Sequence, residues 1–327
     1  MFILVTGSSG RVGRHIVKKL LAEGNRVRGL DLNNSGFTAN NYEEIRGTLD
    51  DTGVAANAVT GVEAILHLAA FMSWKPQDKT AMFLANVEGT RVLLDAAVEQ
   101  KVRRFVFASS GEVYPENAPR FLPITEEHPL NPNSPYGLTK LLGEELVRFH
   151  QRAGKLETVI LRFSHTQDAV ELLDENSFFS GPRFFLRPRI RQQEDFGNIK
   201  VADILKAHDP GKPAHVLARN ENGRPFRMHI TDSRDMADGV LLALSHPAAP
   251  GEVFNLGATD PVDFEALLRD MSAVTGYPVV TVDLPGAGVY YQTSNEKIKT
   301  MLGFTPKWTI KQMLREAAEA RRIRQKL

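Results

Sequence analysis

The sequence predicts an α/β protein with a doubly wound parallel sheet and a smaller C-terminal region. In the first half of the chain, short runs rich in Val, Ile, Leu and Phe alternate with longer segments of helical periodicity. Strands that are apolar throughout belong to parallel sheets with helices on both faces. A glycine-rich turn, residues 7–13, joins the first such strand to the first helix. The 42% hydrophobic and 24% charged residues of this 327-residue chain are the proportions of a globular protein with an ample core.

The predicted elements of the first half form one continuous series. Predicted strands cover residues 2–6, 26–31, 64–68, 104–109 and 157–162, and predicted helices cover about residues 11–22, 80–100 and 136–152. Pro135 and Gly154 delimit the last helix, because proline is favoured in a first turn and glycine just after a last one. We therefore expect residues 1–163 to form a doubly wound domain of the Rossmann type.

The regular pattern is lost after Phe163. Residues 174–200 contain Phe, Arg, Pro and Gly with no clear period, and we expect them to be irregular. Further on, the sequence predicts helices over about residues 232–245, 263–275 and 311–324, and a strand over residues 253–256. We assign residues 164–327 mostly to a substrate-binding region, with the segments around 228–260 returning to the core.

Charge and composition exclude several classes of partner. The chain carries 40 Lys and Arg against 39 Asp and Glu, a formal net charge of +1. Nucleic acids and anionic membrane surfaces are bound by basic faces, so neither is an expected partner. The Arg-rich segment 315–326 also contains Glu, which favours a solvated helix.

Signals for disulfides, export and metal binding are missing from the sequence. There is no cysteine, which excludes disulfides, thiolate metal ligands and thiol nucleophiles. The apolar run at the N-terminus is too short for an export signal, so we expect a cytoplasmic protein. The nine histidines form no paired metal-binding spacing, and no metal is expected.

The glycine-rich turn has the setting of a dinucleotide site. Gly7, Gly10 and Gly13 follow a predicted strand and open a predicted helix, where the backbone can approach a pyrophosphate and free N–H groups face it. Asp31 ends the next strand, where a carboxylate can accept hydrogen bonds from the adenosine ribose. Because this charge repels a 2′-phosphate and no Arg follows it, the sequence predicts NAD rather than NADP.

A second group of residues has the chemistry of proton transfer. Tyr136 and Lys140 are four positions apart, on one face of a predicted helix. A lysine ammonium beside a phenol favours the phenolate and lowers its pKa toward the range of a general base. Ser109 and Ser110 follow a predicted strand, and ligands of such sheets bind at the carboxyl ends of the strands. We expect all three motifs to meet at one edge of the sheet.

Together these motifs make the chain resemble the extended short-chain dehydrogenases/reductases, a group known as the NAD-dependent epimerase/dehydratase family. The resemblance covers nearly the whole chain, and a later run, residues 228–240, is similar to the family's return to the core. The matching segments are VTGSSGRVG (5–13), Asp31, HLAA (67–70), NVEGT (86–90), FASSGEVY (107–114), SPYGLTK (134–140) and LRF (161–163).

The resemblance implies roles for individual residues. Tyr136 is the general acid/base, Lys140 holds the nicotinamide ribose and lowers the pKa of the tyrosine, and Ser110 hydrogen-bonds the reacting oxygen. The three glycines hold the pyrophosphate, Asp31 binds the adenosine ribose, and the C-terminal region covers the substrate. The other expected cofactor-binding residues are Arg11, Val12, Leu32, Leu49, Leu68, Ala69, Ala70, Asn86, Ala108 and Ser109.

Two departures from the family pattern limit what the resemblance implies. Relatives that act on sugar nucleotides have an Asn soon after the sixth strand, but residues 162–168 read RFSHTQD. Thr48 stands where many relatives have an Asp near the adenine. The resemblance therefore implies the fold and the redox chemistry more strongly than it implies a nucleotide on the substrate.

Several residues have alternative interpretations. Glu112 stands where related dehydratases and decarboxylases have a glutamate, although Gly111 replaces their preceding Asp; it is either a catalytic base or a structural residue. His165 either contacts the substrate or is structural. Four arginines in the irregular segment either bind a phosphate or carboxylate of the substrate or belong to a solvated loop. They are Arg183, Arg187, Arg189 and Arg191.

The predicted function is NAD-dependent oxidation or reduction at a secondary hydroxyl of a sugar or sugar nucleotide. In one version the hydride returns to the same substrate, as in an epimerase or dehydratase. The alternative is a simple dehydrogenase of a free sugar, a sugar acid or another small alcohol. A third interpretation, a non-catalytic NAD-binding regulator, is disfavoured because Tyr136 and Lys140 are both present. A homodimer is the expected assembly.

Overall fold

The computed structural model describes residues 1–326, with side chains through residue 324. The first half contains β1 (Phe2–Thr6), α1 (Arg11–Ala22), β2 (Arg26–Asp31), β3 (Tyr42–Arg46), α2 (Thr52–Val59), β4 (Ala64–His67), α3 (Lys79–Phe83), α4 (Gly89–Glu99), β5 (Arg104–Ser110), α5 (Pro135–Arg152) and β6 (Glu157–Phe163). The second half contains β7 (Thr166–Gln167), α6 (Ser180–Phe184), α7 (Leu186–Asp195), α8 (Ile199–Lys206), β8 (His215–Arg219), β9 (Arg227–Met228), β10 (Thr231–Asp232), α9 (Ser233–Ser245), β11 (Val253–Leu256), β12 (Val262–Asp263), α10 (Phe264–Thr275), β13 (Val279–Asp283), α11 (Glu296–Leu302) and α12 (Ile310–Lys326).

Seven strands form the main sheet, in the order β11-β6-β5-β4-β1-β2-β3. Each neighbouring pair is parallel. The sheet is covered on both faces, since alternate residues of β1 belong to different core clusters: Ile3 and Val5 pack with α1 and α9, while Leu4 packs with α2 and α4. The doubly wound fold class predicted from the sequence is therefore confirmed.

The order of the strands determines where a ligand can bind. The chain reverses its direction of winding between β1 and β4, which are neighbours in the sheet. The connections after these two strands leave in opposite directions and open a crevice at their carboxyl ends. The glycine-rich turn follows β1 directly, so it lies at this crevice.

Two elements near the start of the sheet were missed by the sequence analysis. The edge strand β3 (Tyr42–Arg46) has no fully buried residue, so it lacks the apolar run used to predict strands. Helix α2 (Thr52–Val59) is short, and its first turn is stabilised by Asp51, whose side chain accepts hydrogen bonds from the N–H groups of Gly53 and Val54. The long helix predicted over residues 80–100 is interrupted by a π-helical segment, Leu84–Glu88, between α3 and α4.

The prediction that residues 174–200 are irregular was wrong. The segment folds into α6 and α7, and α8 begins at its end. Phe185 is extended between α6 and α7, and Pro182 and Pro188 each lie in the first turn of a helix, where proline is tolerated. Short helices with prolines, and with arginines facing inward, do not show an amphipathic period.

The second half of the chain contributes both to the layers around the main sheet and to two separate apolar clusters. Helix α9 packs against the face of the sheet that α1 covers, and β11 adds a strand beside β6. The other elements surround two further apolar clusters, one containing Phe184, Phe264 and Leu268, and one between α7, α8, β8 and β13. No helix among the described residues is both long and apolar enough to cross a membrane.

Candidate active site

A single cavity of about 1240 Å³ runs from the glycine-rich turn to the C-terminal region. The residues proposed from the sequence for the cofactor, the chemistry or the substrate line it, with the exceptions of Asn86, Arg187 and Arg191. Asn86 is buried behind the wall, where its side chain accepts from the N–H of Phe71 at 2.7 Å and donates to the hydroxyl of Thr139 at 3.0 Å. The structure thus places Asn86 where it supports α5 rather than where it touches a cofactor.

The glycine-rich turn leaves space for a ligand because a side chain would not fit within it. A Cβ added at Gly13 would lie 2.0 Å from the carbonyl oxygen of Gly7, so this position requires glycine. Gly10 precedes α1 and supplies no side-chain cap, which leaves the first N–H groups of the helix available. The turn therefore presents backbone donors and the positive end of the helix dipole to the cavity.

Asp31 lies at the carboxyl end of β2 and faces the same end of the cavity. Its two carboxylate oxygens accept hydrogen bonds at 3.0 Å from the N–H groups of Ser9 and Asn33. Each carboxylate oxygen can accept a further hydrogen bond. Asp31 is thus held in place by the backbone while it keeps the capacity to bind hydroxyl groups.

Tyr136 and Lys140 are buried on α5, beside the end of β5. A Cβ at Gly137 would lie 2.3 Å from the carbonyl oxygen of Glu112, so this glycine allows α5 to pack closely on the segment after β5. The hydroxyl of Ser134 accepts from the N–H of Gly137 at 2.9 Å and donates to the carboxylate of Glu112. These contacts bring Tyr136 and Glu112 into one site.

The charge relation expected between Lys140 and Tyr136 does not hold in this structure. Lys140 Nζ donates to the carbonyl oxygen of Ala108 at 2.7 Å and lies 5.8 Å from the centre of the Tyr136 ring. Burial lowers the pKa of Lys140 to about 7. Burial, together with the charge of Glu112, raises the pKa of Tyr136 instead of lowering it. A phenolate at this position therefore requires additional positive charge in the cavity.

The side chain of Ser109 is positioned by Glu144 and Arg162, two residues that were not predicted from the sequence. Its hydroxyl donates to Glu144 at 2.6 Å, and Glu144 pairs with the buried guanidinium of Arg162 at 2.8 Å. The arginine and serine hydrogen bonds lower the pKa of Glu144 in spite of its burial. The signal was present in the sequence, since Tyr136, Lys140 and Glu144 follow one another at four-residue spacing on the same helix face.

The opposite end of the cavity contains both acids and bases. The pKa of Glu112 is raised by burial, and burial together with the charge of Glu112 raises the pKa of Glu116 to about 8. His165 lies 2.6 Å from Arg183, between Nε2 of the imidazole and Nη1 of the guanidinium, and burial and this positive charge lower the pKa of the imidazole. His165 therefore faces the arginine as a neutral imidazole.

Of the four arginines in residues 174–200, two face the cavity. Arg183 and Arg189 line it, whereas Arg187 is exposed and pairs with Asp209 at 3.2 Å. Arg191 is also exposed and lines a smaller outer cavity of about 320 Å³. No group of three or more potential metal ligands occurs within residues 1–324.

The chain is similar to well-described proteins over most of its length. The model of the NAD dependent epimerase/dehydratase family matches residues 3–167. The UDP-glucose 4-epimerase of Lactobacillus helveticus is 28% identical, over 94% of this chain and 92% of its own. The dTDP-glucose 4,6-dehydratase of Streptomyces niveus is also 28% identical, over 98% of this chain and 92% of its own.

A solved structure is considerably more similar. A short-chain dehydrogenase/reductase superfamily protein from Agrobacterium tumefaciens, crystallised with bound NAD, is 66% identical, with a TM-score of 0.96. The match covers 99% of this chain and 98% of the other.

Proposed function

This chain belongs to the NAD-dependent epimerase/dehydratase family of short-chain dehydrogenases/reductases, and we propose that Tyr136 serves as its acid/base. The chain is an NAD-dependent enzyme whose chemistry is oxidation and reduction at a secondary hydroxyl of a sugar or sugar nucleotide. One observation carries the assignment of roles. Tyr136, Lys140 and Ser110 meet in the same cavity as the glycine-rich turn, on one edge of one sheet.

The residues at the start of the cavity fit NAD. The backbone N–H groups after Gly10 hold the pyrophosphate, since the turn has no side chain that could occupy that space. Asp31 binds the adenosine ribose through the oxygens that the backbone leaves accessible. The guanidinium of Arg11 pairs with Glu171 at 2.8 Å, so it is not a free cation that could bind the pyrophosphate in place of the backbone.

The chemistry requires a proton acceptor and a donor next to the substrate hydroxyl. Tyr136 takes the proton of this hydroxyl as its carbon loses a hydride, and returns a proton in the reverse direction. Ser110 donates a hydrogen bond to the oxygen that becomes a carbonyl. Bound NAD supplies the hydride acceptor and, in its oxidised form, a positive charge.

That positive charge is what the site lacks for a phenolate. Burial and Glu112 raise the pKa of Tyr136, so a cation nearby is needed to lower it. Lys140, with a pKa of about 7, can contribute a charge near neutral pH. We propose that Lys140 positions the cofactor ribose and, when protonated beside the bound cofactor, adds to the positive charge that ionisation of Tyr136 requires.

A simple dehydrogenase is the second candidate, and a specific observation favours it. Relatives that act on sugar nucleotides have an Asn soon after the sixth strand. This chain has no Asn there, and His165 in the same run contacts Arg183 instead. The dehydrogenase and the epimerase or dehydratase share the oxidation step and differ in whether the hydride returns to the sugar.

Two further predictions concern the state of the protein in the cell. We propose that it is a homodimer in the cytoplasm, as expected from the sequence. Light scattering on the purified protein should give a mass about twice the chain mass of 36.3 kDa. Fractionation of cells that express the full chain tests the compartment.

The direct test follows the reduction of the bound cofactor. The protein is mixed with NAD and a panel of sugar nucleotides, free sugars and sugar acids, and the absorbance of NADH is recorded. Net accumulation of NADH identifies a dehydrogenase, whereas a new sugar product without accumulation identifies an epimerase or dehydratase. Binding of NAD with no reduction by any member of the panel, even in single turnover, would contradict the proposal and favour the regulatory interpretation.

A further inference from the structure

Two arginines at the substrate end of the cavity have no acidic partner among the described residues. Arg183 lies on α6 and Arg189 on α7, and the hydrogen-bond partner of each is neutral: His165 for Arg183 at 2.6 Å, and the carbonyl oxygen of Pro182 for Arg189 at 3.4 Å. The Nε atom of Arg189 is buried and has no hydrogen-bond partner in the part of the chain that the structure describes. Both guanidinium groups therefore keep donors that are free to bind a ligand.

Neighbouring arginines differ from this pair. Arg11, which also lines the cavity, pairs with Glu171, and Arg162, behind the wall, pairs with Glu144. Removing a guanidinium from water is costly unless an anion compensates for it. Arg183 and Arg189 therefore stand in the cavity as cations that form no ion pair with an acidic side chain among the described residues.

The other charged groups at this end do not neutralise the pair. Burial lowers the pKa of both arginines to about 10, so both remain charged at neutral pH. Glu116, with a pKa of about 8, carries its proton at neutral pH and receives a hydrogen bond from Tyr291. At most one carboxylate, that of Glu112, then faces two positive charges. This end of the cavity retains a net positive charge, which suits a ligand with a single negative charge.

The position of the pair relates this charge to the reacting part of the substrate. Arg183 contacts His165, just after β6, and its pKa responds to both Glu112 and Glu116, which follow Ser110 on the segment after β5. An anion bound by Arg183 thus lies on the side of the cavity that Glu112 faces, beside the segment that carries Ser110.

Aromatic side chains line the cavity near α6. Trp74 stacks on Phe178 with ring centres 5.7 Å apart, and Phe178 packs against Phe179, which contacts His165 at 4.4 Å. Trp74 and Phe178 also line the outer cavity, so they form the wall between the two spaces.

We propose that Arg183 and Arg189 bind a carboxylate carried by the sugar itself, so that the substrate of this enzyme is a sugar acid. The planar carboxylate matches the two N–H donors that each guanidinium can direct at it. The inference rests on the proposed function for the reaction. It adds the class of substrate, which is either a free sugar acid or a sugar acid linked to a nucleotide.

Binding to the NADH-loaded enzyme tests this without turnover. Calorimetry compares matched pairs of probes: D-glucuronate with D-glucose, D-galacturonate with D-galactose, and UDP-glucuronate with UDP-glucose. We expect at least one acid to bind about tenfold or more tighter than its neutral partner, the scale of a charged hydrogen-bonded contact. A preference within the free pairs identifies a free sugar acid, and a preference only within the UDP pair identifies a nucleotide-linked one.

Variants connect the preference to the two arginines. Arg183→Gln and Arg189→Gln should each reduce the preference for the acid about tenfold, whereas binding of the neutral partner stays within about twofold. Arg183→Lys keeps the charge and should lose less. Arg187→Gln, on the same pair of helices but exposed and paired with Asp209, is the matched control and should change nothing.

Three outcomes would overturn the inference: no acid binding tighter than its neutral partner, glucose 6-phosphate binding tighter than every acid, or a preference that survives in the Arg183→Gln, Arg189→Gln double variant. Normal NADH binding shows that a variant is folded. Failure of the proposed function has a different signature, because it would appear as unchanged turnover in Tyr136→Phe or as no reduction of NAD.

Discussion

The two ends of the cavity are built in different ways. The cofactor end is made largely from backbone: the turn after β1, the first N–H groups of α1 and one carboxylate, Asp31, that is itself held by the backbone. The substrate end is made from side chains that come from distant parts of the chain, including Trp74, Glu112 and Arg183. The first end recognises what every member of such a family must bind, and the second can change its ligand by changing side chains.

The largest effect is expected at Tyr136, which lies between the cofactor end and the substrate end of the cavity. Tyr136→Phe should lower kcat by about 100-fold or more, the scale of a lost general acid/base, while NAD binds almost as before. Stopped-flow rates and calorimetry with NAD measure the two properties. Lys140→Ala is the contrasting variant and should weaken both. A Tyr136→Phe enzyme with normal turnover would show that the reacting hydroxyl lies elsewhere.

A second variant asks whether the substrate end takes part in chemistry. Glu112→Gln keeps the size of the side chain and its hydrogen bond with Ser134 but removes the base. If the hydride returns to the substrate, we expect NAD binding and the first hydride transfer to be preserved in single turnover, and any later step to slow about 100-fold. Rates equal to the wild type in every step would make Glu112 structural and favour the one-step dehydrogenase.

The cofactor end should give a smaller but selective effect. NAD should bind at least about tenfold tighter than NADP, because Asp31 would face a 2′-phosphate; tenfold corresponds to about 1.4 kcal/mol. Calorimetry with both cofactors measures the ratio, and Asp31→Asn should reduce it. Equal or tighter binding of NADP by the wild type would remove Asp31 from the ribose site.

The smallest effect concerns the pH dependence of protein stability that the buried Glu116 causes at the substrate end. The pKa of Glu116 is raised from 4.5 to about 8, so the folded protein holds a proton that the unfolded chain has released above pH 4.5. The folded state binds more protons in this window, and stability therefore falls as pH rises from about 5 to 8.

Glu116→Gln removes this dependence. We expect the variant to gain stability relative to the wild type as pH rises, so that its Tm relative to the wild type should be a few °C higher at pH 8 than at pH 5. Thermal unfolding at pH 5 and pH 8 measures it. A Tm difference that is the same at both pH values would mean that Glu116 is ionised in the folded protein.

The difference between the two ends also explains what could be read from the sequence. The glycine-rich turn, Asp31 and the Tyr136–Lys140 pair were all recognised because each depends on short spacings within one turn or one helix. The sheet was predicted for the same reason, since its inner strands are continuous apolar runs. Edge strand β3 was not predicted because half-exposed strands lack such a run.

Tertiary structure alone decided the rest. The positions of Arg183 and Arg189, the raised pKa of Glu116 and the direction of the Tyr136 shift depend on burial and on charges brought together from separate segments. A sequence shows which residues can carry charge but not how much water surrounds them, and desolvation is the largest influence on each of these groups. The sequence by itself therefore determined the fold, the cofactor and the reaction type, whereas the chemistry of the substrate end arose only when the folded chain enclosed it.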